Sequence, residues 1–194
     1  WNNPYDVAMS WDRDTRGRVG THYIIGGINP ATNDSSYDGI VLQVLPDEDW
    51  IYHLGITGNS KNLDKESIGI ELCNFGYLTL RNGKYNTYSG AIVKPENVIK
   101  LDASFRGYKF WHKYSDKQIQ SLQTLIQYLG KKHSINLNSG LKQFIKSDSK
   151  TAFEFKPDVL SGKIQGLFSH TTVRKDKFDV SPQPELIQMI LELS

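Results

Sequence analysis

Apolar residues recur at helical spacing in three stretches and at strand spacing in three others. In residues 4–12, Val7, Ala8 and Trp11 share one helical face, with Asn3 placed as N-cap and Pro4 in the first turn. In residues 115–130, Ile119, Leu122, Leu125, Ile126 and Leu129 form a stripe that Gly130 is expected to end. Ser115 and Gln118 sit at capping-box spacing at its start. The stripe reads as core packing rather than a cofactor site. A third amphipathic helix, PELIQMILEL, follows Pro182 and Pro184. VGTHYIIGG (19–27), GIVLQVLP (39–46) and SIGIELCNFG (67–76) read as strands, the last so apolar that it is expected at the middle of a sheet. Residues 77–109 mix short apolar pieces with Gly, Asn, Lys and Pro and read as hairpins or an insertion. Residues 138–166 are polar and irregular, with room for one short helix. The expected class is α/β: a central, mixed, mostly buried sheet flanked by helices, within a single domain spanning 1–194.

Composition narrows this picture a little. The 194 residues fit one domain, and 38% hydrophobic with 23% charged content suits a globular chain. A net charge of +2 argues against a dedicated nucleic-acid binder. Cys73 is the single cysteine, so no intrachain disulfide forms and the fold is independent of oxidation. No apolar run is long enough to span a bilayer, and no membrane partner is expected. A monomer is the expected state.

The candidate chemistry lies in two places. SHTTVRKDKFDVSP (169–182) brings His170, Lys177 and Asp179 into one short irregular segment. His170 and Asp179 both suit a borderline cation such as zinc, and an ammonium two residues before Asp179 suits a reaction that builds negative charge on oxygen. A solvated loop of mixed charge is the plainer reading of that segment. Glu71 sits between Ile70 and Leu72, where an acid requires either a solvated strand face or a function in a cleft. There it could act as a general base. Of the remaining histidines, His112 and His133 read as packing or surface residues and His22 as a structural strand residue. His53, in WIYHLGITGN, stands at a strand end where substrate contact and structure are equally open.

The order VGTHYIIG, WIYHLGI, Asn59 or Asn62, SIGIEL, SDKQIQSLQTLIQYL and SHTTVRKDKFDVSPQPEL resembles the zinc-dependent N-acetylmuramoyl-L-alanine amidases of the type-2 amidase family. That family is related to peptidoglycan recognition proteins and phage endolysins. The resemblance covers most of the chain, weakly over 77–111 and 138–163, which are candidate insertions. It implies hydrolysis of the amide between N-acetylmuramic acid and the L-alanine of the stem peptide by a zinc-activated water. It also implies action at the bacterial cell wall, either secreted or phage-released. Carried over, it makes His170 and Asp179 zinc ligands, Lys177 the residue that steadies the oxyanion and Glu71 the residue that activates water. His53 becomes a substrate contact, with Trp50 and Tyr52 beside it. The family's first zinc histidine has no counterpart here. It is expected upstream of Trp1; replacement by His22 or His53, or loss of the metal, are the alternatives. A non-catalytic peptidoglycan-binding module of the same fold is the second functional reading, and magnesium-dependent nuclease chemistry at Glu71 and Asp179 is the weakest.

Overall fold

The computed structural model describes residues 1–56 and 62–194. Helix α1 (Pro4–Asp12) begins as the pattern requires: the Asn3 side chain accepts from the Tyr5 amide at 2.9 Å, and Pro4 occupies the first turn. Three strands follow, β1 (Tyr23–Ile25), β2 (Val41–Gln43) and β3 (Ile70–Leu72), with the short helix α2 (Asn62–Lys65) between the last two. They form one sheet in the order β2-β1-β3, β1 running antiparallel to β2 and parallel to β3. The middle position therefore belongs to β1, not to the SIGIEL strand as its apolar run suggested. β1 is buried on both faces. Tyr23 and Ile25 enter the main core, whereas Ile24 packs with Val7 and Cys73 under α1. In β3, Ile70 and Leu72 pair with Tyr23 and Ile25 and face the main core. Glu71 pairs with Ile24 and so faces the other way. Strand alternation thus explains how an acid fits between two core residues.

The 77–112 region is a second, five-stranded antiparallel sheet. Its strands are β4 (Tyr77–Arg81), β5 (Lys84–Asn86), β6 (Ile92–Val93), β7 (Val98–Phe105) and β8 (Tyr108–His112), in the order β6-β5-β4-β8-β7. Asn82 and Gly83 both have positive φ (50° and 73°) and make the two-residue turn between β4 and β5. Helix α3 (Asp116–Lys132) lays Leu122, Leu125, Ile126 and Leu129 on the core. Gly130 does not end it: the helix continues to Lys132, and a Cβ at Gly130 would lie 2.8 Å from Leu137, so the glycine serves close packing. Ser115 caps the helix by accepting from the Gln118 amide at 3.0 Å, but Gln118 does not close the box. Its buried amide instead donates to the carbonyls of Ile25, Gly26 and Cys73, tying the ends of β1 and β3 to α3. The 138–166 stretch holds two short helices rather than one, α4 (Leu141–Asp148) and α5 (Pro157–Leu160). The one-turn α6 (His170–Val173) and α7 (Pro184–Glu192) complete a mixed α/β fold of two sheets flanked, among the described residues, by seven helices. No helix among the described residues is long and apolar enough to cross a membrane.

Candidate active site

His170 opens α6, and Asp179 lies nine residues on, past the irregular 174–178 stretch. The chain returns so that His170 Nδ1 stands 3.0 Å from Asp179 Oδ2. The other ring nitrogen, Nε2, lies 2.9 Å from the Leu54 carbonyl. A carbonyl only accepts, so Nε2 carries a proton. Nδ1 then faces a carboxylate with its lone pair, and the contact is favourable only with a proton or a cation between the two atoms. The Thr171 amide donates to the Asp179 carbonyl (3.2 Å), closing the segment on itself.

Glu71 approaches this pair from β3. Its pKa is pushed up to about 7, first by burial and then by the negative charge of Asp179; the charges of His170, the Trp1 ammonium and Lys177 pull it partly back. Burial also works against ionisation of Asp179. The His170 hydrogen bond and charge, with help from Lys177, outweigh it and hold that carboxyl below its ordinary range. Glu71 and Asp179 both feel the charges of His170 and Lys177, and Glu71 also feels that of Asp179. The structure therefore brings Glu71, from β3, within electrostatic reach of His170, Lys177 and Asp179, a segment far along the chain.

Other residues hold the segment in place. Arg174 donates to the Gly55 carbonyl at 2.8 Å and reaches Leu54 at 3.4 Å, and a Cβ at Gly55 would lie 2.3 Å from that guanidinium and push it aside. Buried Asp64 accepts from the amides of His53 and Leu54, fixing the turn whose carbonyl meets His170. Arg106, at the β7–β8 turn, donates to the Lys175 carbonyl and reaches that of Thr171 at 3.4 Å. Phe178 packs on Tyr77 (5.2 Å between centroids) and Tyr108 (5.9 Å), which stack on each other at 3.7 Å. Downstream, Gln183 is fully buried; it accepts from the Tyr114 amide and donates to the His112 carbonyl and to Ser181. Sequence patterning singled out none of these supports.

The remaining candidates are placed differently. The His53 side chain is 4% exposed; Nδ1 meets the Ile51 carbonyl (2.8 Å) and Nε2 meets Ser67 (2.9 Å), and burial pushes its pKa down. It packs so closely on Gly69 that a Cβ there would lie 2.8 Å from the ring. In this arrangement His53 supports the wall of the site and offers no free nitrogen to substrate. Trp50 and Tyr52 pack edge to face at 4.9 Å, with Arg18 4.6 Å over the Trp50 ring. His22 is fully buried, accepting from the Gly69 amide at Nδ1 and meeting the Asp49 carbonyl through Nε2. Neither His22 nor His53 has a nitrogen to spare for a metal. Asn59 lies outside the described residues.

His170 and Asp179 have the donor chemistry of a zinc site. Two ligands of one tetrahedral zinc, each about 2.0–2.1 Å away, stand about 3.3 Å apart, close to the 3.0 Å seen. A histidine that gives its far N–H to a backbone carbonyl is the usual second-shell arrangement of a metal ligand, and Leu54 supplies it. The pair fits part of such a site. Among the described residues no group of three or more His, Cys, Asp or Glu side chains converges on one point.

Against this geometry, the family model described as N-acetylmuramoyl-L-alanine amidase matches residues 2–176. The chain belongs to the N-acetylmuramoyl-L-alanine amidase family. No curated protein and no solved structure matches it. Membership supports peptidoglycan amidase chemistry in general, and the mixed α/β architecture agrees with it. The match covers Glu71 and His170 and stops three residues short of Asp179, so the Lys177–Asp179 stretch rests on its own geometry.

Proposed function

We propose that the protein is a peptidoglycan hydrolase that cleaves the amide between the lactyl group of N-acetylmuramic acid and the L-alanine of the stem peptide. The observation that carries this reading is the pairing of His170 with Asp179 at 3.0 Å, with both Glu71 and Asp179 within the electrostatic reach of His170 and Lys177, in a chain of this family. His170 and Asp179 would hold zinc, which when bound polarises a carbonyl and lowers the pKa of water. Glu71, with a pKa near 7 in the metal-free protein, can both take a proton from the attacking water and return one to the departing alanine nitrogen. Lys177 supplies positive charge where the carbonyl oxygen becomes an oxyanion. The Leu54 carbonyl keeps His170 in one tautomer, so that Nδ1 faces the site. A wall-binding module of the same fold is not favoured, because no feature of the geometry points to binding without hydrolysis.

The test is release of new N-terminal L-alanine from purified cell wall, with turbidity followed in parallel, before and after chelation and on returning zinc. Glu71→Gln is expected to lose about 100-fold or more of the activity. Equal release by wild type and Glu71→Gln would remove Glu71 from the mechanism, and activity indifferent to chelation would remove the metal.

A further inference from the structure

The second sheet carries a charge that the fold does not use. Residues 77–113 hold seven Lys and Arg against two Asp and Glu, while the rest of the chain holds sixteen against nineteen. One of the seven, Arg106, is committed to the Thr171 and Lys175 carbonyls. Another, Lys94, donates to the Thr32 carbonyl. Of the two acids, Glu96 is held by Asn33 at 2.7 Å. Arg81, Lys84 and Lys109 are exposed and form no ion pair among the described residues.

The register puts these three cations on one face. Arg81 stands directly opposite Lys84 across the β4–β5 hairpin, and Thr79 and Asn86 form the next pair on the same side. Alternation along β4 places Tyr77 on that side too. Tyr77 pairs with Trp111, and alternation along β8 adds Lys109. Tyr77 touches Phe178, which lies between Lys177 and Asp179. The face is therefore continuous with the active site, and four residues of strand set the Arg81/Lys84 pair about 13 Å beyond Tyr77. Between them Thr79 Oγ1 is buried without a hydrogen-bond partner among the described residues.

Like charges directly opposite on a hairpin oppose folding. The Asn82-Gly83 turn fixes the register, and no acid among the described residues relieves the repulsion. A local conflict without internal compensation marks a surface shaped by something outside the chain. We propose that this face is a docking surface for a polyanion, and specifically for the phosphodiester-linked polymers carried by peptidoglycan walls. Several unpaired cations in a row suit a repeating anion better than one isolated carboxylate, and the Arg81 fork suits phosphate oxygens. The choice of polymer rests on the peptidoglycan reading above; the cationic face itself does not.

The experiment compares sedimentation of the full chain with intact purified walls and with the same walls stripped of phosphate polymer by acid. Wild type is expected to bind intact walls about tenfold more tightly, with affinity falling as salt rises. The R81E/K84E/K109E variant should lose that difference while its turnover of a soluble muramoyl-peptide stays unchanged. R81Q/K84Q is a milder variant for the case in which charge reversal disturbs the hairpin, and it should show the same loss in smaller degree. Wild-type-like binding by both variants would overturn the proposal. So would an equal loss on stripped walls, which would make stem-peptide carboxylates the partner. Absence of turnover by wild type would sink the amidase reading, yet leave the binding comparison interpretable.

Discussion

Glu71 makes a prediction about stability that is independent of catalysis. In the folded, metal-free protein its carboxyl titrates at about 7, against 4.5 ordinarily, chiefly because burial disfavours the charge. Between those two values the folded state keeps a proton that the unfolded state has released. Stability therefore falls as pH rises through that window and is lowest, as far as this group is concerned, above pH 7. Each factor of ten in proton affinity is worth about 1.4 kcal/mol. Full ionisation would then cost the fold about 3 kcal/mol, reduced to about 1–3 kcal/mol because the residue is only partly buried and water screens it. Glu71→Gln keeps the shape and cannot ionise. In chelator, urea unfolding should show the variant more stable than wild type by about 1–3 kcal/mol at pH 8 and nearly equal to it at pH 4.5. Saturating zinc should narrow the gap at pH 8, since a nearby cation favours the carboxylate. A variant no more stable than wild type at pH 8 would show that the carboxylate is not strained in the folded state, and the proton-shuttle role would lose its physical basis.

Three further outcomes are expected. Gln118→Leu leaves the carbonyls of Ile25, Gly26 and Cys73 without their shared donor and should cost about 2–4 kcal/mol in denaturant unfolding; a cost below about 1 kcal/mol would mean water replaces it. Burial alone would raise the pKa of Asp47, but hydrogen bonds from Lys132, Tyr23 and His133 hold it well below the ordinary value, so its stabilisation is present above about pH 4 and lost as pH falls further. Asp47→Asn should then be less stable than wild type by about 1–3 kcal/mol at pH 7, and the two should converge toward pH 2; a constant difference would contradict the ionic origin. Arg106→Ala frees the Thr171 and Lys175 carbonyls and should lower turnover several-fold more than it raises KM, with weaker zinc retention; an unchanged rate would leave Arg106 a purely surface tie.

The helices were legible because their signals are local. Asn3, Pro4, Ser115 and the Ile119–Leu129 stripe act within one or two turns, and the structure uses each as the spacing suggests. Errors arose where a residue answers to a partner far along the chain. Gln118 has the spacing of a capping-box residue, yet its acceptors lie 45 to 93 positions away. Gly130 looked like a stop signal and is instead a contact point for Leu137. The apolar run of SIGIEL suggested a central strand; its burial comes from packing of Ile70 and Leu72 on the core, while β1 takes the middle of the sheet. His53 stands at a strand end, where functional side chains gather, but its ring turns to Ile51 and Ser67.

The site itself divides along the same line. Its charged side chains could be picked from the sequence because an acid in an apolar strand and a histidine, a lysine and an aspartate in a short loop are chemically unusual there. What aligns them could not, because most of it is backbone: the carbonyls of Leu54, Gly55, Thr171 and Lys175 carry no residue signature. Residues 174–183 have no helix or strand to order them. Their position follows from tethers that come from four different parts of the chain, namely Arg106, Tyr77, Tyr114 and the 54–55 turn. Three of these lie on or next to the second sheet. The second sheet therefore helps hold in place the segment that carries Lys177 and Asp179. A change at Tyr77, Tyr108 or Arg106, which touch the segment, should alter the geometry of Lys177 and Asp179 without replacing either residue.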